Sequence, residues 1–176
     1  MPLLSGKDKN ARLWTLLHQT RHATYTARKN ELAKLGIMSR WVPVVNYIHH
    51  AGGTASPSEI SRMLFRSRNS VSQLLSRMEK EGVVTKTMDR NRKHMIEVSL
   101  TQKGMQVLHL SERSETIDRI FSALSEKQRE QLESYLEIML EKAFKETGME
   151  WDSSPLRSFL QDLKGYQHDG SDSATL

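Results

Sequence analysis

No cysteine occurs in the 176 residues. Disulfide staples, thiolate metal sites and cysteine-based redox sensing are therefore excluded by chemistry, whatever the fold. Long apolar runs are missing as well. No stretch approaches the roughly 20 residues that a membrane-spanning helix needs, and the opening MPLLSGKDKN has no signal-peptide core. A cytoplasmic location and no membrane partner are expected. The sequence contains no Walker loop, GxSxG elbow, HExxH pair or glycine-rich dinucleotide turn. No catalytic residue is nominated, and neither catalysis nor a cofactor is expected.

Charge of one sign is scarce overall but concentrated locally. The formal net charge is +5, yet between Ser61 and His94 nine Lys and Arg residues face only three acids, so the rest of the chain sums to −1. A local cationic face suits a polyanion, because each neutralised phosphate releases condensed counterions. The competing reading is a solvated charged surface. At this length the chain holds one compact domain or two small lobes sharing helices.

The stretch from Asp8 to Leu35 lacks both proline and glycine, and Leu13, Leu17, Tyr25 and Leu32 recur near helical spacing. One long helix is expected there, stopped by Gly36. A second helix follows with Val42, Val45 and Ile48 on its apolar face and Gly52-Gly53 after it, then a short extended stretch at Thr54-Ala55. Ser56-Pro57-Ser58-Glu59 reads as a helix start, with Ser56 as cap, Pro57 at the first helical position and Glu59 reaching back. Ser67 caps a further helix to Glu81, buried through Val71, Leu74, Leu75 and Met78. Two short helices joined by a tight turn, the second turning Arg68, Asn69, Ser70, Ser72, Gln73, Ser76 and Arg77 outward, make a helix-turn-helix.

Two β-rich runs, Val83–Thr87 and Met95–Leu100, flank the polar loop from Asp89 to His94 and predict a hairpin with a basic tip. A hairpin directly after such a helix is a wing, which lies over neighbouring phosphates or enters the minor groove. From Thr101 to Thr147 the pattern is helical again, with a break at Ser125 and an apolar stripe of Leu132, Leu136, Met139, Leu140 and Ala143. Ser154-Pro155 starts a short amphipathic helix carrying Leu156, Phe159, Leu160 and Leu163. The fold class expected is mainly α with a small β-wing: an amino-terminal helix at 1–38, a winged helix-turn-helix lobe at 39–100, carboxy-terminal helices at 101–164, and a polar, disordered tail at 165–176.

This order of elements resembles the MarR family of transcription regulators. The segment from Ser67 to Val84, with Arg77-Met78-Glu79-Lys80-Glu81-Gly82 at its end, follows the family pattern of a polar start, an "xRLExxG" end and an immediate strand. Asp89-Arg90 opens the wing loop, and Val98 to Gly104 is similar to the family's strand-to-helix exit. The resemblance covers about residues 10–147. One departure is Asn91 where the usual wing arginine stands, with Arg92 and Lys93 just after it. The extra helix after Ser154 lies outside the family pattern and is expected to embrace the partner subunit.

The resemblance implies a homodimer, joined through the first and last helices, that binds double-stranded DNA and regulates transcription, more often as a repressor. It also implies release by a small aromatic or amphipathic effector held between the dimerisation helices and the DNA-binding lobe. Arg68, Asn69, Ser70, Ser72 and Gln73 are the candidate base readers, since paired donors and acceptors discriminate base edges. The alternative for each is helix-surface polarity or a phosphate contact. Ser58 and Arg77 are assigned to phosphate. Arg90, Asn91, Arg92 and Lys93 form the wing contact, and the resemblance implies that Asp89 fixes the wing.

His18 and His22 stand four apart on the first helix, a spacing open to metal, but no carboxylate or cysteine completes a set, so no metal is assigned. His49-His50 lies at a helix end that favours partial positive charge. The nine methionines suit either an effector cavity or a core. The contrasting function is a winged helix used for protein contact without sequence-specific DNA binding, which would make the cationic face incidental.

Overall fold

The computed structural model describes residues 9–89, 95–112, 114–147, 156 and 158–161. Ten elements follow in order: α1 (Lys9–Lys34), α2 (Val42–His50), β1 (Thr54–Ala55), α3 (Pro57–Met63), α4 (Arg68–Lys80), β2 (Val84–Asp89), β3 (Met95–Leu100), α5 (Gln102–Glu112), α6 (Glu115–Phe121) and α7 (Glu126–Glu146). The fold is mainly helical with a small antiparallel sheet in the order β1-β3-β2.

Helices α2, α3 and α4 turn their apolar sides to one another and to the inner face of the sheet. Val44, Val45, Ile48, Ile60, Val71, Leu75, Met78 and Val98 are wholly buried there. Burying each such side chain is worth about 1.5–3 kcal/mol, so this cluster is what holds the lobe together. The helix starts are the expected ones. Ser56 accepts from the Glu59 backbone N–H at 3.2 Å while the Glu59 carboxylate receives the Ser56 N–H at 2.7 Å. Ser67 caps α4 by accepting from Ser70 N–H at 3.3 Å.

In the sheet, Thr54-Ala55 pairs with Ser99 and Val98, and β2 pairs with β3 from Val84 opposite Leu100 to Asp89 opposite Met95. The strands run to Asp89, two residues beyond the expected end of the first, and the tip residues 90–94 lie outside the described residues. At the exit of β3, the Thr101 hydroxyl donates to the Gly82 carbonyl at 2.5 Å and accepts from Gly104 N–H at 3.1 Å. A Cβ on Gly104 would stand 2.2 Å from the Val83 carbonyl oxygen, so only glycine lets α5 approach this closely.

The carboxy-terminal helices differ from expectation by one extra interruption, between α5 and α6. Beside it stands a pair on α1 that no motif flagged. Arg28 donates to the Ser111 carbonyl at 2.5 Å, and Glu31, itself 2.6 Å from Arg28, accepts the Thr116 backbone N–H at 3.1 Å. Backbone groups released by the break are thus satisfied by side chains, which is the condition for a break away from water.

Two helices are left with little cover. In α1 only Leu32 is buried, and α7 buries none. Leu13, Trp14 and Leu16 on α1 and Tyr135, Ile138 and Met139 on α7 are about half exposed or more. Of the extra helix, Leu156 and residues 158–161 are helical. Phe159 packs on His50 of its own chain, with ring centroids 4.9 Å apart. The expected tail lies outside the described residues.

Burial alone would raise the Glu31 pKa. The hydrogen bonds from Arg28 and Thr116 and the Arg28 charge overcome that, and the net direction is below the ordinary 4.5. A carboxyl lowered on folding adds stability that is complete above its unfolded pKa and is lost as pH falls through the folded one. The urea midpoint should therefore drop on acidification below about pH 4.5, and Glu31→Gln should show a smaller drop. Equal drops in both proteins would remove Glu31 from the acid response.

Candidate nucleic-acid interface

Helix α4 is the element on which most of the candidate residues fall, and its amphipathic sequence decides how it lies. Val71, Leu74, Leu75 and Met78 recur every three or four residues and are buried, which fixes the rotation of the helix. Arg68, Asn69, Ser70, Ser72, Gln73, Ser76, Arg77 and Lys80 are consequently all exposed. Thirteen residues give a helix about 20 Å long, enough to lie along a major groove about 12 Å wide.

The central and carboxy-terminal part of this face is a shallow open depression of about 380 Å³, lined by Ser72, Gln73, Ser76, Arg77 and Lys80. Arg68, Asn69 and Ser70 stand one turn earlier, at the amino-terminal end. Six of the sequence-nominated residues are thereby brought onto one helix face: Arg68, Asn69, Ser70, Ser72, Gln73 and Arg77. Ser58 is not among them. It lies in the first turn of α3, half-buried, with its hydroxyl 3.1 Å from that of Ser56.

The hairpin is rooted beside the same face. Lys86 of β2 places Nζ 2.8 Å from Glu79 Oε2 and donates to Ser76 Oγ at 3.2 Å. Both partners sit on the carboxy-terminal half of α4, so the ion pair ties the strand to the helix at the edge of the depression. The Asp89 backbone closes the ladder opposite Met95. The Asp89 side chain and Arg90, Asn91, Arg92 and Lys93 lie outside the described residues.

Ser76 was read as outward-facing but not nominated for contact, and Lys80 and Lys86 were not nominated from the sequence. The first two follow Ser72, Gln73 and Arg77 by three or four positions, a spacing that places them on the same helical face. Lys86 carried no such signal, because its role depends on β2 lying against α4.

The comparisons with known proteins agree with this geometry. Residues 35–93, which span α2 through the hairpin's first strand, match the sequence profile of the MarR family. The lobe is thus similar to a MarR-family winged helix over those residues. The organohalide-sensing transcriptional regulator RdhR-CbdbA1625, in its ligand-free form, superposes with a TM-score of 0.70 at 22% identity, over 81% of this chain and 89% of that one. A mutant of E. coli MarR complexed with operator DNA gives 0.68 at 20% identity, over 73% and 94%. The S. aureus MepR–DNA complex gives 0.64 at 22% identity, again over 73% and 94%. No curated protein sequence matches the chain.

The electrostatics of this face separate its two kinds of cation. Arg77 is open to solvent on the depression, whereas Lys86 is already paired with Glu79. For a duplex bound here, Arg77→Ala should lower the slope of log affinity against log salt by about one, and Lys86→Ala should lower it by less. A larger loss from Lys86→Ala than from Arg77→Ala, measured by salt-dependent titration, would contradict this assignment.

Proposed function

We propose that the protein is a DNA-binding transcriptional regulator acting as a homodimer on a pseudo-palindromic operator. The observation that carries the reading is the wholly exposed polar face of α4, from Arg68 to Lys80, with the hairpin rooted at its edge through Lys86 and Glu79. One α4 helix from each subunit enters one of two successive major grooves, with half-site centres about 34–36 Å apart. Arg68, Asn69, Ser70, Ser72 and Gln73 read bases. Arg77 and Ser58 hold phosphates, and Arg90, Asn91, Arg92 and Lys93 extend the contact at the hairpin tip. That MarR and MepR were solved on DNA supports the same docking here.

Helices α1 and α5–α7, with the residues flanking them at 1–38 and 101–164, supply the dimer interface around the lobe at 39–100. The half-exposed or more exposed Leu13, Trp14, Tyr135 and Ile138 support this, since apolar side chains of this size on two uncovered helices are what a subunit contact buries. Regulation is by repression, relieved when a small aromatic or amphipathic effector biases the spacing of the two wings. The fold shared with an organohalide-sensing regulator favours an effector of that chemical kind.

Titration with random duplex at two ionic strengths should show binding that weakens steeply with salt. Binding insensitive to salt, or none, would favour a winged helix built for protein contact. With the operator in hand, Arg68→Ala and Gln73→Ala should each narrow the preference for operator over random duplex by about 1–3 kcal/mol. Equal weakening on both duplexes would reassign these side chains to phosphate. Ile138→Glu should shift the sedimenting species from dimer to monomer while the lobe keeps its helical signal. A dimer undisturbed by that change would place the interface elsewhere.

A further inference from the structure

Four helices of the lobe and its lead-in end in the same double turn, and one of them is built from the wrong residue. After α1, α2, α3 and α4 the chain enters the left-handed region, the first such residue being Gly36 (φ 71°), Gly52 (85°, followed by Gly53 at 96°), Phe65 (52°) and Gly82 (71°) in turn. At each end that residue's N–H goes to a carbonyl three residues back, and the next N–H goes to one five residues back. For α3 these are Phe65 N–H to Arg62 at 3.1 Å and Arg66 N–H to Ser61 at 3.1 Å. The buried Ser61 hydroxyl adds a bond to the Arg66 carbonyl at 2.6 Å.

Glycine adopts this conformation freely, while a residue with a Cβ is strained by on the order of 1–2 kcal/mol. Local geometry therefore favours glycine at 65, and something else holds a phenylalanine there. Its ring meets Phe144 near the end of α7 edge-on, with centroids 5.2 Å apart and planes at 63°. Phe144 is half-buried within an otherwise exposed last turn of that helix. A second, separate ring contact joins the same two parts of the molecule. His50, the last residue of α2, meets Phe159 of the carboxy-terminal segment at 4.9 Å and 86°. Leu156 and Leu160, on the same side of that segment, are also half-buried.

We propose that these two ring pairs are a clasp that couples the helix-turn-helix to the carboxy-terminal helices and restrains the angle at which the lobe carries α4. The clasp touches the lobe at the α3–α4 turn and at the end of α2, on side chains outside the polar face of α4. Each pair of this kind shifts the ratio of held to released lobe by roughly two- to tenfold. The consequence for DNA rests on the proposed docking, because the lobe angle sets the distance between the two α4 helices. The coupling itself does not.

Amide exchange in the full-length protein tests the two separately. Phe65→Gly keeps a residue suited to the turn and removes only the ring, so the fold is preserved. It should accelerate exchange in the last turn of α7 several-fold, and Phe144→Ala should do the same to amides 61–67, with the double variant no faster than either single, because both remove the same ring contact. Phe159→Ala should loosen the end of α2 in the same way. Unchanged exchange at α7 in Phe65→Gly and at the turn in Phe144→Ala would overturn the clasp whatever happens to DNA binding. Faster exchange with operator affinity unaltered would overturn its role in setting the α4 spacing, whereas a several-fold loss of affinity with salt slope retained is the expected result.

Discussion

The rotation of α4 is the constraint on which the rest of the molecule depends. Val71 and Leu75 are wholly buried and Leu74 and Met78 nearly or fully so, and a helix held by four such side chains cannot roll without exposing them. Everything outward on α4 follows from that: the basic end at Arg68, the depression at Ser72 to Lys80, and the serine and glutamate that receive Lys86. Core packing and recognition surface are two sides of one amphipathic pattern.

Around that helix the chain is organised by what each part can bury for itself. The lobe from α2 to β3 closes a complete apolar core, with Leu32 of α1 and Leu108 of α5 reaching in from its neighbours. The outer helices α1 and α7 close none, and they are held to the rest by polar ties at Arg28 and Glu31 and by ring contacts at Phe144. Such ties are individually weaker than a closed core and easier to rearrange. A stiff lobe on a more adjustable support is the mechanical arrangement that the proposed regulation of α4 spacing requires.

Much of this was legible in the sequence because it is local. Caps at Ser56, Ser67 and Ser125, glycine stops, and the four-residue apolar spacing of α4 each act within a few residues, and the structure has them where the pattern put them. The six polar residues of α4 came out together for the same reason. What escaped depends on distant chain. The backbone groups flanking the interruption before α6 are satisfied by Arg28 and Glu31, more than 80 residues away. Lys86 acquires a role only once β2 lies on α4. No local pattern marks Phe65 as left-handed, and its partner at 144 carries no pattern that links the two. Ser58, assigned to phosphate, lies in the first turn of α3 where the capping pattern put it, with its hydroxyl 3.1 Å from that of Ser56.

The account stands or falls on the exposed face of α4 being the surface that meets DNA. Arginine-selective chemical modification, read residue by residue with and without duplex, addresses that face directly. Arg68 and Arg77 should lose reactivity when duplex is added, while Arg119 of α6 and Arg129 of α7 keep theirs. Protection of Arg119 and Arg129 with Arg68 and Arg77 still reactive would contradict it.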